Sequence, residues 1–171
     1  MKNSHHSPLS THHSYTAYLG LGSNLGDRSS LITSALDLLN ESSHITVTKV
    51  STLIETTPVG GPPGQNNFLN AAAQISTTFS AEQLLLFLQS VETRLGREPL
   101  ETRAHWAPRP IDLDLLLFAS EIIDLPHLQI PHPLLHRRRF VLEPLAQIAP
   151  DLIHPTLGLP IRTLLTELPL P

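Results

Sequence analysis

The stretch "RPIDLDLLLF", residues 109–118, decides how the rest of the chain is read. From Ile111 to Phe118 it has the composition of a buried β-strand, yet it carries Asp112 and Asp114. Strand side chains alternate between faces, so the two aspartates share one face. Ile111, Leu113, Leu115 and Leu117 are expected on the other, toward the core. Leu116 and Phe118 then fall on the acidic face, further along. A buried carboxylate is costly unless it is compensated. Two carboxylates about 7 Å apart along a strand can converge on a divalent ion. Mg2+ prefers one or two carboxylates completed by substrate phosphates and water. The same D-x-D pattern also fits a solvated edge strand or Asp–Arg ion pairs.

The surrounding composition narrows the choice. With 171 residues, 40% hydrophobic and 15% charged, the chain suits one globular domain. It has no cysteine, which excludes disulfides, zinc–thiolate sites and thiol nucleophiles. No apolar run approaches the ~20 residues of a membrane span. The start, "MKNSHHSPLSTHHSYT", has neither the apolar core of a secretory signal nor the arginines of a transit peptide. Residues 1–14 are expected to be a disordered polar tail, and 15–171 a single domain. A net charge of −4 argues against nucleic-acid binding. Seven of the 11 Lys and Arg nevertheless fall between Arg94 and Arg139. Arginines gathered in an acidic protein point to a local anion site, such as one for phosphate.

Periodicity supplies the elements. "YTAYLGLGSN" (15–24) fits a strand leading to a turn. Leu31, Ala35, Leu38 and Leu39 then sit at helical spacing behind Asp27 as N-cap. "ITVTKVSTLIETT" (45–57) reads as one strand, and "TPVGGPPGQNN" (57–67) as a long loop. In "FLNAAAQIST" (68–77), Leu69, Ala71, Ala73 and Ile75 share one face, Phe68 and Asn70 the other. A second helix follows, with Ser80 and Gln83 as a capping box, a stripe of Leu84, Leu88, Val91 and Leu95, and Gly96 as terminator. The order is β-α-β-β-α-β, so an α+β, ferredoxin-like core is expected, its antiparallel-rich sheet covered by helices. An appended C-terminal segment adds a short strand near Glu121–Ile123, a helix started by Pro133 and ended or kinked at Pro144, and a last helix over 160–168.

Carboxylates for a hard metal beside guanidinium groups form the set that phosphoryl transfer needs. No GxxxxGK[ST] is present. "GLGSNLG" (20–26) lacks dinucleotide-loop spacing and is read as a tight strand-to-helix turn. Phe68, Phe140 and Asn70 suit a flat heterocycle, the rings for stacking and the amide for edge recognition. Trp106 is either a core plug or a lid. His132 is a candidate phosphate contact, whereas His136 is read as structural or exposed.

Four motifs, "YLGLGSNLGDR" (18–28), "ETTPVGGPPGQNNFLNAA" (55–72), "HWAPRPIDLDLLLF" (105–118) and "IPHPLLHRRRFVLEPLAQIAP" (130–150), resemble the 6-hydroxymethyl-7,8-dihydropterin pyrophosphokinase family of folate biosynthesis. The resemblance runs from Tyr15 to about His154. It implies transfer of a diphosphate from ATP to the pterin hydroxymethyl group, with release of AMP. It also implies that Asp112 and Asp114 hold two Mg2+ ions and form the catalytic group with Arg97 and Arg109. Gln89, Glu92, Arg97, Trp106, Arg109, Ile111, His132 and Arg138 match the nucleotide-contacting set. Thr56, Val59, Phe68, Asn70 and Phe140, with Asp112 close by, match the pterin pocket. Loops 22–27, 57–67 and 97–107 match the family's mobile loops. Arg109 is expected to contact phosphate rather than to partner the acids. Phe68 stands where the family often has Tyr, and Ala107 where Gly is usual. Glu98 and Glu101 make the loop after Arg97 acidic, and Arg103 is the candidate for its second basic residue. The expected protein is a cytoplasmic monomer taking ATP and the pterin, with neither nucleic acid nor membrane as partner. Two other readings remain: a nucleotide- or pterin-sensing module without catalysis, and a metal-dependent nucleotidyltransferase that would release pyrophosphate.

Overall fold

A five-stranded antiparallel sheet carries helices on both faces in the computed structural model, which describes residues 13–98 and 107–169. Trp106 and Arg103 lie outside those residues, as does nearly all of the expected tail. The strands are β1 (Tyr15–Ser23), β2 (Ile45–Val50), β3 (Ile54–Thr56), β4 (Phe68–Thr77) and β5 (Asp112–Phe118), and β6 (Ile123–Leu125) and β7 (Leu128–Ile130) form a separate hairpin. The helices are α1 (Arg28–Glu41), α2 (Ala81–Arg94), α3 (Arg139–Ile148) and α4 (Ile161–Glu167), with a 3-10 turn at Leu135–Arg137. The sheet order β2-β4-β1-β5 is the one expected of a split βαβ core, and β5 is an edge strand.

Local chemistry explains the first two helices. The Asp27 side chain accepts from the Ser30 amide at the start of α1. Ser80 and Gln83 form the capping box of α2. Ile32, Ala35 and Leu39 are the buried residues of α1, so its buried stripe takes Ile32 rather than Leu31. Leu84, Leu88 and Val91 from α2 join them on Ala17, Leu19, Leu21, Ala71, Ala73 and Ile75 of the sheet. On the opposite face, α3 and α4 press Val141, Leu142, Leu145, Ile161 and Leu164 against Tyr18, Ala72, Leu116 and Leu117.

Four expectations need correction. Segment 45–57 is two strands, not one. At Ser51 the hydroxyl, instead of a backbone carbonyl, accepts from the Ala72 amide. Thr52 turns its amide to the Gln147 side chain of α3, which interrupts the ladder. The strand expected near Glu121–Ile123 starts at Ile123 and pairs with β7, a partner the short run 128–130 did not announce. Pro144 lies inside α3 without ending it. The helix runs on to Ile148, losing only the bond a proline nitrogen cannot donate to the Phe140 carbonyl.

The fourth correction concerns β5. Its register against β1 pairs Leu19 with Leu115 but Tyr18 with Leu117, leaving Leu116 as an extra residue. This β-bulge resets the alternation. Asp112, Asp114 and Leu116 still share a face, but Leu117 joins them on the α3–α4 side while Phe118 turns to the α1–α2 core. The bulge therefore lets one strand present acids at one end and close the second core at the other. Because Leu117 packs with α3, Leu117→Ala and Leu142→Ala should show a coupling of at least ~0.5 kcal/mol in a denaturation double-mutant cycle. Leu117→Ala and Leu88→Ala should be additive. The reverse pattern would mean that plain alternation holds.

Candidate active site

The second sheet face is covered only at one end by α3 and α4. At the other end it is open, because β1 places glycines there. Gly20 pairs with Asp114 and Gly22 with Asp112 across one edge of β1, and Gly22 pairs with Asn70 across the other. A Cβ on Gly22 would stand 3.2 Å from Asn70 Oδ1 and 3.8 Å from the Cβ of Asp112. These glycines lie within a strand and floor a cleft; only Gly26, with φ +64°, serves the turn to α1. The turn reading of "GLGSNLG" is corrected accordingly. The clue was present in the sequence: glycines two apart in a strand mark a close approach on one face.

Above this floor is a cavity of about 290 Å³. Thr56, Val59, Phe68, Asn70, Asp112 and Phe140, the expected heterocycle set, all line it, together with Asp114, Arg109 and Arg138. Thr57, Gly60, Gln65, Leu134 and Val141 also line it and carried no distinctive sequence signal. The Asn70 amide donates to the Thr56 hydroxyl at 2.8 Å, which fixes the side-chain amide and leaves its oxygen as an acceptor. Arg138 lies 5.6 Å from the Phe140 ring centre and Arg109 5.2 Å from that of Phe68.

The aspartates are compensated in two different ways. Asp112 accepts an ion pair from Arg97 at 2.5 Å and from Arg109 at 2.6 Å. Burial pushes its carboxyl up, but the Arg109 and Arg97 guanidiniums outweigh burial and hold it below the usual range. The expectation that Arg109 does not partner the acids is thus corrected. The Arg109 guanidinium neutralises the Asp112 carboxylate three residues on. Asp114 makes no hydrogen bond or ion pair among the described residues. Burial, followed by the charge of Asp112, pushes its pKa up to about 7, against the weaker pull of Arg138 and Arg109.

Arg97 reaches Asp112 because of how α2 ends. The Gly96 amide bonds the Thr93 carbonyl and the Arg97 amide bonds the Glu92 carbonyl, a Schellman motif closed by Gly96 at φ +88°. The reversed chain returns Arg97 to the Glu92 carboxylate and to Asp112. Glu92 is itself buried, and its carboxylate accepts from the Leu113 amide at 2.7 Å, which ties α2 to β5. The Nε atoms of Arg97 and Arg109 are buried without a hydrogen-bond partner among the described residues.

A second cavity, about 340 Å³, lies on the outer side of β5. His132 lines it with Leu85, Leu115, His127 and Gln129, and Asp114 lines both cavities. Burial and the Arg138 charge push the His132 pKa down to about 4, so the ring is neutral at pH 7. Its Nδ1 accepts from the Leu134 amide, so Nε2 carries the proton and can donate one bond. Gln89 is exposed on α2, and Glu92 and Arg97 lie under the site rather than lining either cavity. Ile111 is corrected: it is 0% exposed in the α1–α2 core and lines neither cavity, whereas Leu113, Asp114 and Leu115 of β5 line the second.

A family model described as 7,8-dihydro-6-hydroxymethylpterin-pyrophosphokinase matches residues 18–150. The chain belongs to this family. It is 46% identical over 132 residues to the 2-amino-4-hydroxy-6-hydroxymethyldihydropteridine pyrophosphokinase of Bacillus subtilis, covering 77% of each protein. The protein of that name from Aquifex aeolicus is 41% identical over 147 residues, covering 86% of this chain and 88% of its relative. Among solved structures, Plasmodium falciparum HPPK-DHPS with pteroate superimposes with a TM-score of 0.71 at 17% identity. That match covers 91% of this chain and 42% of the other, so the chain spans less than half of the larger protein and the likeness concerns the fold.

In this member of the pyrophosphokinase family, Asp114 has a measurable signature. An unfolded aspartate titrates near ~3.9. With the folded value raised to about 7, the native state holds a proton that the unfolded chain has released, so stability falls as pH rises between these values. Asp114→Asn abolishes that loss. In EDTA, its Tm gain over the parent chain should grow from pH 4 to pH 7 and stay level above. A gain independent of pH would contradict the assignment.

Proposed function

We propose that this chain transfers the terminal diphosphate of ATP to the hydroxymethyl oxygen of 6-hydroxymethyl-7,8-dihydropterin, giving the pterin diphosphate and AMP in folate biosynthesis. The observation that carries the reading is the Asp112–Asp114 pair at the meeting of two cavities, one lined by aromatic and amide groups and the other along the edge of β5.

The pterin occupies the cavity with Phe68 and Phe140 against its ring and Asn70 and Thr56 at its edge. Their donors and acceptors recognise a planar amide-bearing heterocycle. The nucleotide lies along the second cavity, its phosphates directed to Asp114 and the arginines. His132 contributes a neutral N–H donor there rather than a charge. Gln89, Glu92 and Arg97 belong to the nucleotide side, with Glu92 and Arg97 acting from beneath.

Mg2+ fits the donor set. Asp112 and Asp114 offer hard carboxylate oxygens on one face, and Asp114 lacks a protein partner among the described residues. These two residues would hold two ions, the remaining ligands coming from phosphate and water. When bound, the metal polarises phosphate oxygens and lowers the pKa of the attacking hydroxyl. Arg97 and Arg109 then exchange Asp112 for phosphate oxygens, and their unpaired Nε groups become useful donors. Asp114, whose pKa is raised to about 7, would hold the metal in its ionised form. Positioning of hydroxyl and β-phosphorus in a closed, dry cleft supplies the rest of the rate.

The proposal takes residues 15–171 as one catalytic domain and 1–14 as a tail outside it. The family match at 18–150 falls within that domain. Among the described residues no helix is long and apolar enough to cross a membrane. The domain acts as a cytoplasmic monomer on this reading.

The test supplies ATP, Mg2+ and the reduced hydroxymethylpterin and identifies products by phosphorus NMR. AMP and pterin diphosphate are expected in equal amounts. Asp112→Asn and Asp114→Asn should each lower kcat roughly 10²-fold or more with the fold retained. Pyrophosphate release, binding without turnover, or near-normal rates in both variants would overturn the reading.

A further inference from the structure

The loop 57–67 supplies Thr57, Val59, Gly60 and Gln65 to the first cavity, and its two stems carry Thr56 and Phe68. The stems are joined by a short ladder of three pairs, Ile54–Asn70, Glu55–Leu69 and Thr56–Phe68, which lies off the main path of the sheet. Beyond the last pair the loop is pliant. Gly60, Gly61 and Gly64 all have φ near +80°. Asn24 bonds the Gln65 side chain and the Asn66 carbonyl within the loop, but at its two ends the three ladder pairs need a further contact to fix their separation.

Arg28 is placed to do this. A single nitrogen, Nη1, donates to Glu55 Oε1 on one stem and to the Asn67 carbonyl on the other, both at 2.7 Å. Glu55 immediately precedes Thr56, and Asn67 immediately precedes Phe68. Arg28 is the first residue of α1, whose Ile32, Ala35 and Leu39 are buried in the main core, so the strut stands on a rigid base. Its position also runs against helix electrostatics. A cation at a helix N-terminus is disfavoured by the macrodipole, and although the Asp27 carboxylate caps the helix, the first turn itself carries no acid. The charge is therefore not there for the sake of α1.

We infer that Arg28 is a positioning residue for the pterin side of the site: it clamps both stems of loop 57–67 and so sets the spacing between Thr56 and Phe68. This rests on the pyrophosphokinase reading for the identity of the ligand, but the clamp itself can be measured without ligand. Loss of the clamp frays β3 from β4. The Thr56 hydroxyl then leaves Asn70, and the amide that reads the ring edge loses its fixed orientation.

The experiment compares Arg28→Ala, Arg28→Lys and Glu55→Gln with the parent chain. Amide hydrogen exchange is followed at 54–56 and 68–70. Affinities are measured for 6-hydroxymethyl-7,8-dihydropterin and, separately, for Mg2+ with a non-hydrolysable ATP analogue. Arg28→Ala should speed exchange at the stems and weaken pterin binding roughly 5-fold or more, with nucleotide affinity within twofold. Arg28→Lys keeps a cation that can reach one acceptor, and Glu55→Gln keeps a neutral one. Both should give intermediate effects, and both remain informative if the alanine variant is poorly folded. Unchanged exchange with unchanged pterin affinity overturns the inference, and so does equal weakening of both ligands. If the parent chain binds no pterin, the pyrophosphokinase reading fails instead, and exchange at the stems alone decides the clamp.

Discussion

The Asp112 carboxylate lies between the guanidiniums of Arg97 and Arg109, and this three-way ion pair draws the end of α2 and the segment before β5 onto the edge strand. Arg97 arrives from the reversed end of α2, Arg109 from the segment before β5, and Asp112 from the edge strand itself. Ion pairs this far from solvent seldom add much net stability, because desolvation offsets most of the attraction. Removing one partner is costly, however, since a charge is left without compensation. An arrangement of that kind suits a site where the partners are exchanged. A phosphate chain can take the arginines, and a cation can take the carboxylate, without leaving any charge alone.

The Asp114 carboxyl, two residues on, has no such partner among the described residues, and burial raises its pKa to about 7, so it is only partly ionised at neutral pH. The two acids are therefore in different states, although they are chemically alike and share a strand. The difference comes from what each faces. Asp112 lies opposite Gly22 beside the arginines, while Asp114 lies between the two cavities. The glycines of β1 keep the floor open beneath both. The bulge at Leu116 lets the same strand turn Leu117 into the α3–α4 core just beyond. A cleft and a packed layer thus share one sheet face, separated by a single extra residue.

Much of this was legible in the sequence, for physical reasons. The capping box of α2, the Asp27 cap, the alternation of β4 and the period-2 acids of β5 are local patterns, and local patterns survive into the fold. The six residues that the resemblance of whole motifs assigned to a heterocycle all line one cavity. What was not legible depended on pairing. The bulge that exchanges Leu117 and Phe118 appears only when β1 is laid against β5. The break at Ser51 needs Gln147 from almost a hundred residues away. The partnership of Arg109 with Asp112 depends on how the segment before β5 turns, which no spacing rule reports. Ile111 was expected at the site through the family resemblance, and its side chain lies on the core face of the strand.

With its pKa raised to about 7, Asp114 would release a proton as cations and phosphate arrive on the proposed reaction. Calorimetry of a non-hydrolysable ATP analogue binding with Mg2+, repeated at one pH in buffers of different ionisation enthalpy, counts that proton directly. The split environments of Asp112 and Asp114 predict net proton release from the protein near pH 6 to 7 that fades above pH 8 and is absent in Asp114→Asn. Equal proton release by the parent chain and Asp114→Asn across this range would contradict it.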